Sequence, residues 1–372
     1  MPSGDVTHEI PGLVNAHTHI YSGLAPLGMP APSRAPRTFL EILARVWWRL
    51  DRALDEASLR ASARLYVAEA LLAGTTVLVD HHESPSFIEG SLDVLAEACD
   101  ELGMRAVLCY GATERNGGPD EAGRGLEECR RFIRQNRRGL VRGVVGLHAS
   151  FTVSDDTIRA AGRLCRDLGT VLHVHLAEDS SDVEDARRRG YPGPLERLLD
   201  LDALPPGSIL AHGVHLSADQ ARRAMDAGCW IVQNPRSNRH NRVGYPGALG
   251  DAASVALGTD GYRADMLDER AALLETGLAA GDDRTVLDAR CLGSLRLAAR
   301  MWDCAEPCPG PGVDLGTWLS ARRDACRRSI EVGGRPIVSA GNLLSANLHE
   351  IREDARREAA RLWHRLPYEL TS

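Results

Sequence analysis

Short apolar runs alternate along the chain with longer stretches in which apolar positions recur every three or four residues. The runs are GLVNAHTH (12–19), TTVLVD (75–80), MRAVLCY (104–110), RGVVGLH (142–148), TVLHVHL (170–176), SILAH (208–212), CWIVQN (229–234) and SVALGTD (254–260). Between them DVLAEACDEL, LEECRRFIRQN, DDTIRAAGRLCRDL and SADQARRAMDAG carry helical spacing, with Ser or Asp at several N-cap positions. Eight such alternations with apolar strands predict a parallel sheet closed into a (β/α)8, TIM-like barrel. An open doubly wound sheet is the alternative. No GxGxxG or GxxxxGK[ST] follows any run, so its usual nucleotide-binding signature is missing.

The pattern divides the chain into a short N-terminal segment (1–11), the barrel (12–300) and a C-terminal extension (301–372). In the extension GGRPIVSAGNLLS predicts a small hairpin and LHEIREDARREAARLWHRL a surface helix. After the first strand a loop rich in Pro and Gly, SGLAPLGMPAPSRAPRT, leads into FLEILARVWWRLD, where Leu40, Leu43, Trp47 and Leu50 form a helical stripe. That helix either packs on the barrel or covers the mouth with Trp48 near a ligand.

Composition narrows the function classes. Net charge is −7 with both signs interspersed, which favours neither nucleic acid nor an acidic membrane surface. No apolar run is long enough to span a bilayer, and MPSGDVTHEI lacks the regions of a signal peptide. Nine scattered cysteines, an odd number, fit a reducing cytoplasm, with Cys304 and Cys308 of CAEPC as loop thiols. The chain contains no lysine. That excludes a lysine Schiff base, a phosphate-loop lysine and a carboxylated lysine bridging two metals.

Polar residues gather at the C-terminal ends of the predicted strands: His17 and His19, Asp80 to Glu83, His148, His175 and Glu178, His212, Asn234 and Asp260. In a barrel those ends converge on one face, where active sites sit. His17 and His19 are two residues apart and leave the same face of a strand. HTH, HVHLAE, AHGVHL and LGTDG together supply three imidazoles and a carboxylate, the donor set of a catalytic transition-metal site with a position open for water. His173 lies one pleat deeper than His175, in the core or behind the ligands. Glu178 lies three residues beyond His175, where it can reach a bound water without binding the metal.

These motifs resemble the amidohydrolase superfamily, and within it the mononuclear ATZ/TRZ-type aminohydrolases, most closely the SsnA-type. The resemblance rests on HTHIYSGLA, FLEILARVWWRLDRALDE, DHHESPSFIEGSLDVL, GATERNG, GLHASFTVSD, HVHLAED, QNPRSN and LGTDGYRADML, across residues 11 to 280. It implies metal ligation by His17, His19, His175 and Asp260, with one divalent ion, zinc ahead of ferrous iron. It implies Glu178 as general acid/base, and His212 as a partner of the bound water or developing oxyanion, or as a further ligand. It also implies a homodimer acting on a small molecule. Trp48, Glu114, Arg115, Asn116, His148, Arg236 and Asn238, on the mouth loops, are the candidate substrate residues.

The implied reaction is metal-assisted hydrolysis of a C–N bond, above all deamination of a nitrogen heterocycle. Opening of a cyclic amide or imine, displacement of another leaving group, and a non-catalytic binding barrel are the alternatives. Two departures stand out. Only sixteen residues precede His17, so the family's β-sandwich is expected to be much reduced or absent. Arg239 replaces a methionine common in relatives.

Overall fold

The computed structural model describes residues 12–250, 253–332 and 334–366; the expected N-terminal segment 1–11 lies outside the described residues. The strands are β1 (Leu13–Thr18), β2 (Thr75–His82), β3 (Arg105–Ala112), β4 (Val141–Gly143), β5 (Val145–Ala149), β6 (Leu172–Leu176), β7 (Ile209–His212), β8 (Trp230–Gln233) and β9 (Val255–Leu257). They run β1-β2-β3-β5-β6-β7-β8-β9, each parallel to its neighbours. All eight predicted runs contain strands. The fourth is broken at Val144: β4 pairs with Ala106–Leu108 of β3, and β5 with Gly111 and Ala112.

The last strand returns to the first. Thr18 bridges Asp260 in parallel, and the His17 carbonyl accepts the N–H groups of Thr259 (2.9 Å) and Asp260 (3.0 Å). Asn15 and Thr259 exchange two hydrogen bonds at the same seam, of 2.7 and 3.0 Å. A Cβ at Gly258 would lie 2.6 Å from the His17 carbonyl oxygen, so the seam tolerates no side chain there. The result is the nearly closed (β/α)8 barrel that the alternation predicts.

Outside the sheet the predicted helices form over Ser91–Leu102, Pro119–Gln135, Asp155–Leu168 and Ala218–Asp226. Ser154 caps the third through the Thr157 N–H, and Ser217 forms a capping box with Gln220 on the fourth. Each cap contributes about 1 kcal/mol. Their inner faces, such as Ile158, Ala161, Leu164 and Cys165, are buried in the same core as the strand residues Leu172, Val174 and Leu210.

The extension differs from its expected hairpin. Three antiparallel strands form: β10 (Ser329–Val332), β11 (Arg335–Ser339) and β12 (Asn342–Leu343). β10 follows the helix Leu315–Arg328 without a break, so no turn residue marks its start; only the alternation of buried Ile330 and Val332 with exposed neighbours does. The expected final helix spans Leu348–His364 and packs Ile351, Ala355, Ala359 and Leu362 inward, against the helix Glu56–Leu72. Asp55 caps that second helix and pairs with Arg361 and Arg365 of the final one. All nine cysteines are free thiols, and no helix among the described residues is long and apolar enough to cross a membrane.

Candidate active site

The C-terminal ends of β1, β6 and β9 deliver four groups to one point in the barrel mouth, and β7 sets His212 beside them. Backbone conformation helps to aim them. Ala177 (φ 49°), His212 (φ 76°) and Asp260 (φ 53°) all occupy the left-handed region. Non-glycine residues enter that region rarely and at a cost, and such strain gathers at functional sites. Beside them Asp80 Oδ1 accepts the Ile20 N–H at 2.6 Å and fixes the chain just after His19.

His19 Nε2 lies 2.9 Å from Asp260 Oδ1 and 3.3 Å from His175 Nε2, and His17 Nε2 lies 3.5 Å from the same carboxylate oxygen. One donor atom from each of His17, His19, His175 and Asp260 falls within 4.8 Å of all the others. The remaining ring nitrogens are engaged. His19 Nδ1 meets the His81 carbonyl at 2.5 Å, His175 Nδ1 meets the His148 carbonyl at 2.6 Å, and His17 Nδ1 meets His173 Nε2 at 2.9 Å. A ring nitrogen against a carbonyl must carry the proton, so Nε2 of His19 and His175 turns a lone pair toward the centre. His17 Nε2 is buried without a hydrogen-bond partner, and Ser237 Oγ donates to Asp260 Oδ2, holding the carboxylate.

Burial drives His17 down to about 3 and pushes His175 well below the usual histidine range. Asp260 is held well below the usual carboxyl range: its burial opposes ionisation, but the imidazoles of His17 and His19 beside it outweigh that. His19 alone rises, to about 10; burial disfavours its charge, but Asp260 and Glu83 favour it more strongly. The cluster therefore calls for positive charge at its centre, and a divalent cation meets that call as well as a proton does. Orphaned Nε2 atoms, neutral rings and one ionised carboxylate are the donor set of such an ion.

Glu178 and His212 stand beside the cluster. Glu178 Oε2 is 3.5 Å from His212 Nε2, and Oε1 accepts from Asn241 Nδ2 at 3.3 Å. Burial, reinforced by the charge on Asp260, pushes the Glu178 carboxyl well above its ordinary range. His212 Nδ1 donates to Asn238 Oδ1 at 2.9 Å, which leaves its buried Nε2 unpartnered.

A protein-family model, that of the amidohydrolase family, matches residues 10–292. The chain belongs to the amidohydrolase family. Among curated relatives of this amidohydrolase, 8-oxoguanine deaminase of Pseudomonas aeruginosa is 32% identical over 332 residues, which are 82% of this chain and 73% of that protein. The 5'-deoxyadenosine deaminase of Methanopyrus kandleri is 32% identical over 273 residues, 70% of this chain and 59% of that protein. Among solved structures, a zinc-bound adenosine deaminase from Xanthomonas campestris matches with a TM-score of 0.77 at 22% identity, over 95% of this chain and 85% of that one. The zinc complex of atrazine chlorohydrolase TrzN from Arthrobacter aurescens TC1 matches with a TM-score of 0.74 at 20% identity, over 94% and 88%. These structural likenesses bear out the barrel.

Above the cluster the amidohydrolase mouth opens into a cavity. Its apolar wall is Tyr21, Phe39, Leu43, Trp47, Trp48 and Phe151. Leu43–Trp47 form a π-helical turn, a device frequent at functional sites. Of the candidate substrate residues, Trp48 and His148 line this cavity, their rings 6.1 Å apart.

The other five are not among the residues that line it, and each has partners within the protein. Glu114 Oε1 accepts from the Ser154 N–H and from the Ser154 and Thr157 hydroxyls, tying down a helix start. Arg115 pairs with buried Asp51 at 2.8 Å and lies over the Trp48 ring. Asn116 donates to Glu121, Arg236 pairs with Glu269 and stacks on Tyr262, and Asn238 holds His212. Sequence reasoning passed over Tyr21, Phe151 and Asn241. Tyr21 was within reach, since it continues the every-second-residue series of His17 and His19. Phe151 and Asn241 carry no such local signal.

Proposed function

We propose that the chain is a metal-dependent aminohydrolase that releases ammonia from an amino-substituted nitrogen heterocycle. The observation that carries this is the convergence of His17, His19, His175 and Asp260 on one point, with Glu178 and His212 beside it. Those four residues would hold one divalent cation. Zinc is favoured over ferrous iron, both of which accept imidazole and carboxylate donors; the Xanthomonas adenosine deaminase has zinc bound. When bound, such a cation lowers the pKa of a water to about 7 and supplies a nucleophile at neutral pH.

Glu178 takes the proton of the attacking water and returns it to the departing nitrogen, one carboxyl acting in both directions. His212, oriented by Asn238, directs Nε2 at the same space and steadies the charge that develops there. Trp48 and His148 wall the substrate. The relatives named as 8-oxoguanine and 5'-deoxyadenosine deaminases support a purine-like or related heterocycle. Assembly as a homodimer and residence in the cytoplasm belong to the same proposal, and the nine free thiols fit a reducing compartment.

The test is an ammonia-release screen of amino-purines, amino-pyrimidines and amino-triazines, with products separated in the same reactions. Ammonia with an intact oxo-ring product supports the reading. Ring-opened product or released halide without ammonia contradicts it and points to the other hydrolytic chemistries.

A further inference from the structure

Away from Glu178 the cavity wall carries a second carboxylate that the proposed chemistry does not use. Glu83 follows β2, and its side chain is 3% exposed yet lines the cavity with Trp48, His148 and Phe151. Its buried Oε1 pairs with His81 Nδ1 at 2.8 Å, which leaves Oε2 as the oxygen offered to the cavity. His81 Nε2 meets the Leu147 carbonyl at 3.0 Å, so both nitrogens of that ring are engaged. Glu83 Oε2 is 3.8 Å from His19 Nδ1, whose own proton goes to the His81 carbonyl, so Glu83 does not orient that ring. A Cβ on Gly111 of β3 would come within 2.7 Å of Oε1; the glycine leaves room for the carboxylate.

His148 adds a second acceptor. The Thr152 hydroxyl donates to the Ala149 carbonyl at 3.0 Å, so His148 Nδ1, 3.1 Å from that hydroxyl, must donate to it. The His148 Nε2 lone pair is then free. The remaining acids of the wall are otherwise engaged. Asp179 caps a helix through the Ser181 N–H, and Asp182 accepts from the Ala177 N–H and the Ser150 hydroxyl. No arginine is among the described residues lining the cavity, and the chain has no lysine. Arg115 stands outside the lining, over the Trp48 ring and paired with Asp51.

An aromatic slot in which Glu83 and His148 offer acceptors, against the free donor Trp48 Nε1, favours N–H donors. We infer that Glu83 is the specificity-determining residue of this site. It takes the N–H-bearing edge of a planar, neutral or cationic amidine-like heterocycle, away from the bond that is cut, and the wall turns away substrates bearing carboxylate or phosphate. The inference rests on the proposed function only in taking the occupant of this cavity to be the substrate.

The test is calorimetric titration of the metal-loaded protein with three probes of similar outline: benzamidinium, benzamide and benzenesulfonate. The same titrations on Glu83→Gln accompany elemental analysis of both proteins. The expected result is benzamidinium binding at least tenfold tighter than benzamide, no measurable benzenesulfonate binding, and loss of the preference in Glu83→Gln at unchanged metal content. The proposal is overturned by equal or tighter binding of benzamide or benzenesulfonate, or by no binding of any probe. It is equally overturned by a preference that survives Glu83→Gln, or by loss of a metal equivalent in that variant, which would make Glu83 a ligand. The wild-type preference stands as a test even if the variant does not fold. None of these readouts needs turnover, so benzamidinium binding by a protein that releases no ammonia in the amino-heterocycle screen would overturn the aminohydrolase reading alone.

Discussion

The floor and the rim of the barrel mouth are built from the same kinds of side chain and use them in opposite ways. On the floor His17, His19, His175 and His212 each engage one ring nitrogen with the surrounding protein and leave the other facing a shared space. On the rim Glu114, Asn116 and Arg236 turn their polar groups into the chain itself, holding helix starts and loop backbones. The floor gathers unsatisfied buried atoms around one space, whereas Glu114, Asn116 and Arg236 on the rim engage their polar groups with the chain. Polar groups left without partners in a buried place are costly, so where several point at one space they mark the place a ligand occupies.

The sharpest way to break this contrast is to take one floor group out of the chemistry while leaving the geometry. Glu178→Gln keeps the bond from Asn241 but cannot carry a proton. Ammonia release should fall about 100- to 10,000-fold in kcat, with metal content unchanged by elemental analysis. A smaller effect is expected one step away, at Asn238→Ala. Freed at Nδ1, His212 should lose its orientation, and kcat should drop about 10- to 100-fold while KM moves little. A large rise in KM with kcat preserved would return Asn238 to the substrate.

The rim should respond in stability instead of chemistry. Glu114→Ala leaves the Ser154 N–H and two hydroxyls without their acceptor, which should cost about 1–3 kcal/mol in denaturant unfolding and leave KM unchanged. The smallest effect is expected on the outer surface. Burial is the largest single influence on Asp55 and works against its ionisation, but Arg361, Ser58 and Arg365 together outweigh it and hold its carboxyl well below the usual range in the folded chain. A carboxyl depressed in this way stabilises the fold above its unfolded pKa of about 3.9, and that contribution disappears as pH falls through the folded value. Asp55→Asn, which keeps the cap, should therefore lower Tm slightly at pH 7, and the gap to wild type should narrow below pH 4.

The contrast also explains what was legible in the sequence. Parallel strands buried on both faces read as unbroken apolar runs, so all eight were visible. The break at Val144 and the start of β10 were not, because the apolar run continues across the first and a helix runs directly into the second. On the floor, direction follows from the two-residue period of a strand. That is why HTH and HVHLAE pointed to residues that the fold does bring together. A loop has no such period. Glu114 and Asn238 look equally available in the sequence, yet one is claimed by Ser154 and Thr157 and the other by His212, partners between 26 and 43 positions away. Glu83 sits at the edge of both regimes, just past β2, and its role became readable only when its neighbours' hydrogen bonds were traced.

The central claim is that His17, His19, His175 and Asp260 hold one divalent cation. Elemental analysis of protein purified without chelators, beside the His17→Ala/His19→Ala double variant, tests it most directly. The account predicts about one zinc or iron per wild-type chain and loss of that metal in the variant. No metal in the wild-type chain, or equal amounts in both proteins, would contradict it.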